Sequence, residues 1–114
     1  MKKTILAVLA ALSLPAVALA QVAQTFVPLG FCALTPDAGA GLASCAGGIP
    51  SGARSATIAV ETQAIRYRDD GTAPTSTVGM PVAVGQTIVY QGTLSKIQLI
   101  SQTAGAKVSV LFYR

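Results

Sequence analysis

A chain of 114 residues with 8 basic and 4 acidic side chains, 2 cysteines and no His holds enough material for one modest core. It has no imidazole for a catalytic triad, a His-ligated metal or acid/base work near neutrality. Charged residues make up 11% against a usual ~25%, and their dispersal excludes the basic patch that a nucleic-acid backbone requires.

Met1-Lys2-Lys3-Thr4 is a short basic start. An apolar run over residues 5–14, Pro15 and the small-x-small site Ala18-Leu19-Ala20 follow it. That is the layout of a secretory signal peptide, and it predicts cleavage after Ala20, leaving 21–114 as one domain. The alternative is an uncleaved anchor, but residues 5–20 fall short of the ~20 that a bilayer crossing needs. Membrane contact is therefore expected only through this segment, where it stays uncleaved. The mature part carries six basic and four acidic residues, and its expected location is the periplasm or the medium.

Residues 22–29 read as an opening strand in which Pro28 marks an edge position. Residues 34–52 are rich in Gly, Ala, Pro and Ser, with Asp37-Ala38-Gly39 and Gly47-Gly48 as turn signals and a helical turn at 41–46. Residues 55–61 alternate, Ala56, Ile58 and Val60 facing the core. Residues 65–68 continue in extended form, either as part of one long bent strand or after a bulge. Ile65 and Tyr67 project to one side, Arg66 and Arg68 to the other. Asp69-Asp70-Gly71 stops this strand and Thr72-Ala73-Pro74-Thr75 turns it. Val82 and Val84 are expected inward, 87–90 and 97–102 form short strands, and 107–113 forms the last. There Val108, Val110 and Phe112 share the core face, and Leu111 and Tyr113 on the other face meet another layer or subunit. Short strands between Gly-bearing turns predict an all-β fold: a single small β-sandwich, jelly-roll-like or Ig-like, preceded by an N-terminal signal helix.

Few residues invite chemistry. Cys32 and Cys45 are expected to join in an oxidising compartment, a closure worth ~3 kcal/mol on chain entropy. Two thiols without His make a metal site improbable. Asp69 and Asp70 have the form of an acid/base pair or a calcium loop. Adjacent strand-end carboxylates diverge, however, and too few oxygen donors follow for calcium, so the turn reading prevails. Arg66 and Arg68 are expected to pair with Asp69, Asp70 or Glu61, or to meet a partner's carboxylates. No serine has a base placed by a recognisable motif. Gly79, Gly85, Gly92 and Gly105 read as turn residues rather than a phosphate cradle. Tyr67, Tyr90 and Tyr113 are more simply core or interface than a sugar platform. No cofactor is expected.

The run Ile65-Arg66-Tyr67-Arg68-Asp69-Asp70-Gly71-Thr72-Ala73-Pro74-Thr75, followed by Val78-Gly79-Met80-Pro81-Val82-Ala83-Val84-Gly85, resembles a family of small proteins of tailed bacteriophages and prophages. These are described as uncharacterised or virion-associated. The likeness extends through Pro28-Leu29-Gly30, Ile49-Pro50-Ser51-Gly52-Ala53 and Gln102-Thr103-Ala104-Gly105-Ala106-Lys107. It implies a compact β domain that decorates or joins a particle, and no catalytic residues. The expectation is a non-enzymatic structural module that self-associates or docks to a protein assembly through one sheet face and the charged hairpin. Arg66, Arg68, Asp69, Asp70, Leu111 and Tyr113 are its candidate interface residues. The second expectation is an exported adhesive module recognising a glycan or envelope component; an exported hydrolase comes third.

Overall fold

Period-two alternation, broken repeatedly by glycine-bearing turns, folds into eight strands in the computed structural model, which describes residues 25–114. The strands are β1 (Pro28–Leu34), β2 (Ala40–Gly41), β3 (Ser55–Val60), β4 (Ile65–Arg68), β5 (Met80–Val82), β6 (Thr87–Tyr90), β7 (Gln98–Ser101) and β8 (Val108–Tyr113). The expected signal and its helix at 1–20 lie outside the described residues. Among those described, the only helical element is a short turn at Leu42–Ser44.

All ladders are antiparallel and form two four-stranded sheets, ordered β1-β8-β3-β6 and β2-β7-β4-β5. Only β4 and β5 follow one another in both chain and sheet. Every other connection crosses from one sheet to the other. The two sheets share one core: Cys32, Leu34, Ala56, Ile58, Val60, Val108, Val110 and Phe112 of the first pack with Ile65, Val82 and Leu99 of the second and with the loop residues Leu42, Leu94 and Ile97. Among the described residues Phe112 is the largest fully buried side chain, and truncating it to Ala would cost about 3–5 kcal/mol.

Several boundaries differ from the expected ones for local reasons. Of the expected strand at 22–29, residues 22–24 lie outside the described ones and 25–27 are not strand; β1 runs over Pro28–Leu34. Pairing with β8 carries it past Gly30, so that Cys32 and Leu34 fill the core and Leu29 packs against it. Pro28 does open an edge strand. Residues 55–61 and 65–68 are not one bent strand, because β3 and β4 belong to different sheets. Val82 is buried but Val84 is 50% exposed. The alternation ends between them, where Gln86 N–H donates to the Ala83 carbonyl and the Gln86 side-chain oxygen accepts from Ala83 N–H.

The 34–52 segment is less irregular than its composition suggests. Its short β2 pairs with β7, and Cys45 joins Cys32 in a disulfide with a Cα–Cα distance of 5.6 Å. Asp37, expected only as a turn residue, fastens the same region. Its Oδ1 accepts from Ser101 Oγ at 2.7 Å and from Gly105 N–H at 2.9 Å. Those bonds hold its carboxyl below the usual carboxylate range, the Ser101 bond contributing most.

Candidate interaction surfaces

The charged run is largely satisfied within its own hairpin. Because Ile65 and Tyr67 turn toward the core, Arg66 and Arg68 project from the outer face of the second sheet. Arg66 pairs with no carboxylate, contrary to expectation. Its Nη1 donates to the Gly79 carbonyl at 2.8 Å and its Nε to the Ser76 carbonyl at 3.2 Å. The guanidinium thus ties down the loop that leads into β5, whose carbonyls have no ladder partners there. Arg68 meets Asp70 through two parallel bonds, the Nε–Oδ1 distance being 3.0 Å. This is the one ion pair among the described residues. Its hydrogen bonding raises the arginine and lowers the carboxyl of Asp70.

Asp69 points elsewhere. Its Oδ2 accepts from the Tyr90 hydroxyl at 2.8 Å, so the end of β4 in one sheet is latched to β6 in the other. Burial and the nearby carboxylate push the Tyr90 phenol up to about 12. Space rather than turn geometry favours glycine at position 92, since a Cβ there would lie 2.6 Å from Tyr90 Cζ and force the ring to shift. A shallow cleft of about 380 Å³ adjoins the latch, lined in part by Tyr67, Asp69, Val78 and Met80.

The outer face of the first sheet has a different character. The registers Phe31↔Leu111, Leu111↔Thr57 and Thr57↔Val89 set these four side chains in one row across all four strands. Phe31 and Val89, at the two edges, are each 64% exposed, and Leu111 is 38% exposed. Toward one end of the strands the next row holds Tyr113 and Ser55. Phe26 packs edge-on against Tyr113 with ring centroids 6.3 Å apart. Toward the other end lie only small residues, Ala33, Ser109, Ala59 and Thr87. No charged residue occupies an outward position in these rows. Arg54 and Arg114 stand at the aromatic end, beside a cleft of about 450 Å³ that Phe26 and Ser55 also line. Glu61 and Lys107 stand at the small-residue end, where Glu61 accepts from Ser109 Oγ. Phe26, Ser55, Thr57, Val89 and Tyr113 shape a groove of about 400 Å³ along the face.

The six candidate interface residues therefore do not form one surface. Leu111 and Tyr113 face outward from the first sheet, and Arg66 and Arg68 face outward from the second, on opposite sides of the shared core. Sequence reasoning missed Phe26, Phe31 and Val89 on the first face. The alternation of Phe31 and Ala33 with Cys32 and Leu34 carries the signal for β1, but the expected strand stops at residue 29, short of it.

Chemically, two serine–carboxylate contacts stand out, Ser101 with Asp37 and Ser109 with Glu61. Ser101 is buried, and a carboxyl held below its ordinary range is a poor proton acceptor at neutral pH. Among the described residues no three Cys, Asp or Glu side chains converge as metal ligands would. Comparison with protein-family models, curated proteins and solved structures finds no match for this chain.

Proposed function

We propose that this protein is an exported, non-enzymatic structural module that docks to a protein assembly through the outer face of the first sheet. The observation that carries the reading is the uncharged row Phe31–Leu111–Thr57–Val89 with its exposed edges. A sheet face of a soluble domain normally alternates toward polar residues on its solvent side, and a contiguous apolar face is the usual mark of an interaction site. The disulfide is compatible with an oxidising compartment.

The strand orders β1-β8-β3-β6 and β2-β7-β4-β5 are those of an eight-stranded jelly roll, an architecture that serves viral capsid and lectin domains. As an analogy of fold alone, this supports the virion-associated role that the Arg-x-Arg-Asp-Asp-Gly-Thr-x-Pro-Thr resemblance implies. It also leaves room for the second reading, an exported adhesive module. The observation favouring that reading is the cleft lined by Tyr67, Asp69 and Asp70, where carboxylate oxygens retain lone pairs beyond their bonds to Arg68 and Tyr90 to accept from sugar hydroxyls.

The test is sedimentation of the full chain, expressed and processed in a bacterium, with virions induced from the bacterium that encodes it and, separately, with whole cells. Virion binding lost in Val89→Glu and kept in Asp70→Asn supports the structural reading. Cell binding lost in Asp70→Asn and competed by free sugars supports the adhesive one. A protein that stays in the supernatant in both cases refutes both.

A further inference from the structure

We infer that the outer face of the first sheet receives a second copy of this chain, face to face across a two-fold axis that lies in the contact plane and runs across the strands. The inference deepens the proposed docking role and rests on it, naming the occupant of the same surface.

A symmetric contact uses one patch twice, so the patch must complement itself. For two sheets packed face to face, the two-fold axis lies between them and runs either along the strands or across them. These two choices differ in what they bring together, and the rows of the face discriminate between them on two independent grounds.

The first is shape. Phe26 and Tyr113 stand at one end of the strands, and Ala33, Ala59, Ser109 and Thr87 at the other. An axis along the strands would stack the aromatic end of one copy on that of its partner and leave a gap between the two small-residue ends. An axis across the strands lays each aromatic end over the partner's small-residue end, which fills the space at both. It also sets the Phe31–Leu111–Thr57–Val89 row on the axis itself, where each side chain meets its own counterpart. The ~30° offset usual for aligned sheets pivots about this row without displacing it.

The second ground is charge. Arg54 and Arg114 flank the aromatic end, and neither forms an ion pair among the described residues. An axis along the strands would gather four guanidinium groups with no carboxylate between them. An axis across the strands lays each strand over its own counterpart, so Arg54 beside β3 meets the partner's Glu61 at the other end of β3, whose carboxylate is held on the outward side by Ser109 Oγ. Arg114 lies over the partner's Lys107 at the other end of β8, but the long flexible stem of Lys107 lets its ammonium move out to solvent, and Glu61 on the adjacent strand is within reach of both arginines.

The size of the face sets the strength. Four strands ~4.8 Å apart and six residues of ~3.3 Å each give roughly 400 Å² per copy before side-chain relief is counted. The pair therefore buries on the order of 800–1,000 Å², at the low end for specific contacts. The dimer is weak and concentration-dependent, with a Kd of roughly a few micromolar.

Sedimentation velocity of the processed protein over a concentration series tests this. The expected result is a reversible monomer–dimer equilibrium that Phe31→Glu and Val89→Glu each weaken by about 100-fold or more, because each buries an unpaired charge at the contact. Met80→Glu, an exposed change on the other sheet, leaves it unaltered and serves as the control. Glu61→Arg weakens the dimer, and adding Arg54→Glu with Arg114→Glu restores it; circular dichroism confirms the fold of each variant. A wild-type protein that stays monomeric at hundreds of micromolar, about 100 times the expected Kd, overturns the inference. So does a dimer indifferent to Phe31→Glu and Val89→Glu. Monomeric protein whose virion binding is lost in Val89→Glu overturns self-docking alone and leaves the broader role standing. Monomeric protein that binds neither virions nor cells refutes both.

Discussion

Reducing the Cys32–Cys45 bond tests how much of this fold depends on one covalent tie. The two residues are 13 apart in sequence, and closing a loop of that length restricts the unfolded chain by ~3 kcal/mol. Both cysteines lie in the core, so reduction leaves two small apolar side chains in place and opens no cavity. What changes is the anchoring of β1, an edge strand bonded to β8 on one side only. In a domain of this size ~1 kcal/mol moves the thermal midpoint by about 4–8 °C, so reduction should lower it by roughly 12–24 °C. Thermal unfolding followed by far-ultraviolet circular dichroism, with and without a phosphine reductant, measures this. Hydrogen exchange in parallel should show β1 amides losing protection before those of β3 and β8, which lie inside the sheet. Midpoints within about 3 °C of one another would refute the entropic argument. A uniform loss of protection over all strands would refute the local one.

Gly92→Ala should destabilise the fold by about 1–3 kcal/mol in chemical denaturation, since the added methyl displaces the Tyr90 ring and breaks its bond to Asp69. Unchanged stability would mean that the ring has room to move. Tyr90→Phe, which removes only the hydroxyl, should cost about 1–2 kcal/mol. Ultraviolet titration should find one tyrosine ionising at about 12, absent from Tyr90→Phe. Its folded value is raised, so its contribution to stability is complete below the unfolded value near 10 and is lost as pH rises from there through about 12. Wild-type and Tyr90→Phe stabilities should converge over that window. Asp37 has the opposite sign. Its folded value is lowered from 3.8, so its contribution is present above that value and disappears as pH falls through the depressed one. Asp37→Asn should flatten the acid limb of the stability curve and speed exchange of the Gly105 amide. An acid limb identical to wild type would remove Asp37 from the account.

The alternation of Ala56, Ile58 and Val60, and of Val108, Val110 and Phe112, was legible because strand side chains alternate strictly and a core admits only one parity. The same rule misled at Val84, where a turn had already ended the strand, and at 22–29, where proline and glycine obscured a register set by β8. The disulfide was legible from two cysteines and the expectation of an oxidising compartment. The outer row was not, because Phe31, Leu111, Thr57 and Val89 come from four separate segments that only hydrogen-bond register brings abreast.

By itself, then, the sequence determined which residues lie inward along most strands, where the chain turns and which sulfurs join, since all three follow from local geometry and composition. The tertiary structure alone decided that β3 and β4 part into different sheets, that Asp69 reaches Tyr90 and Asp37 reaches Ser101, and that Arg66 and Leu111 look in opposite directions. The physical reason is that strand partners here are distant in sequence. Register between them is chosen by the packing of the whole core, and no local window of residues carries that information.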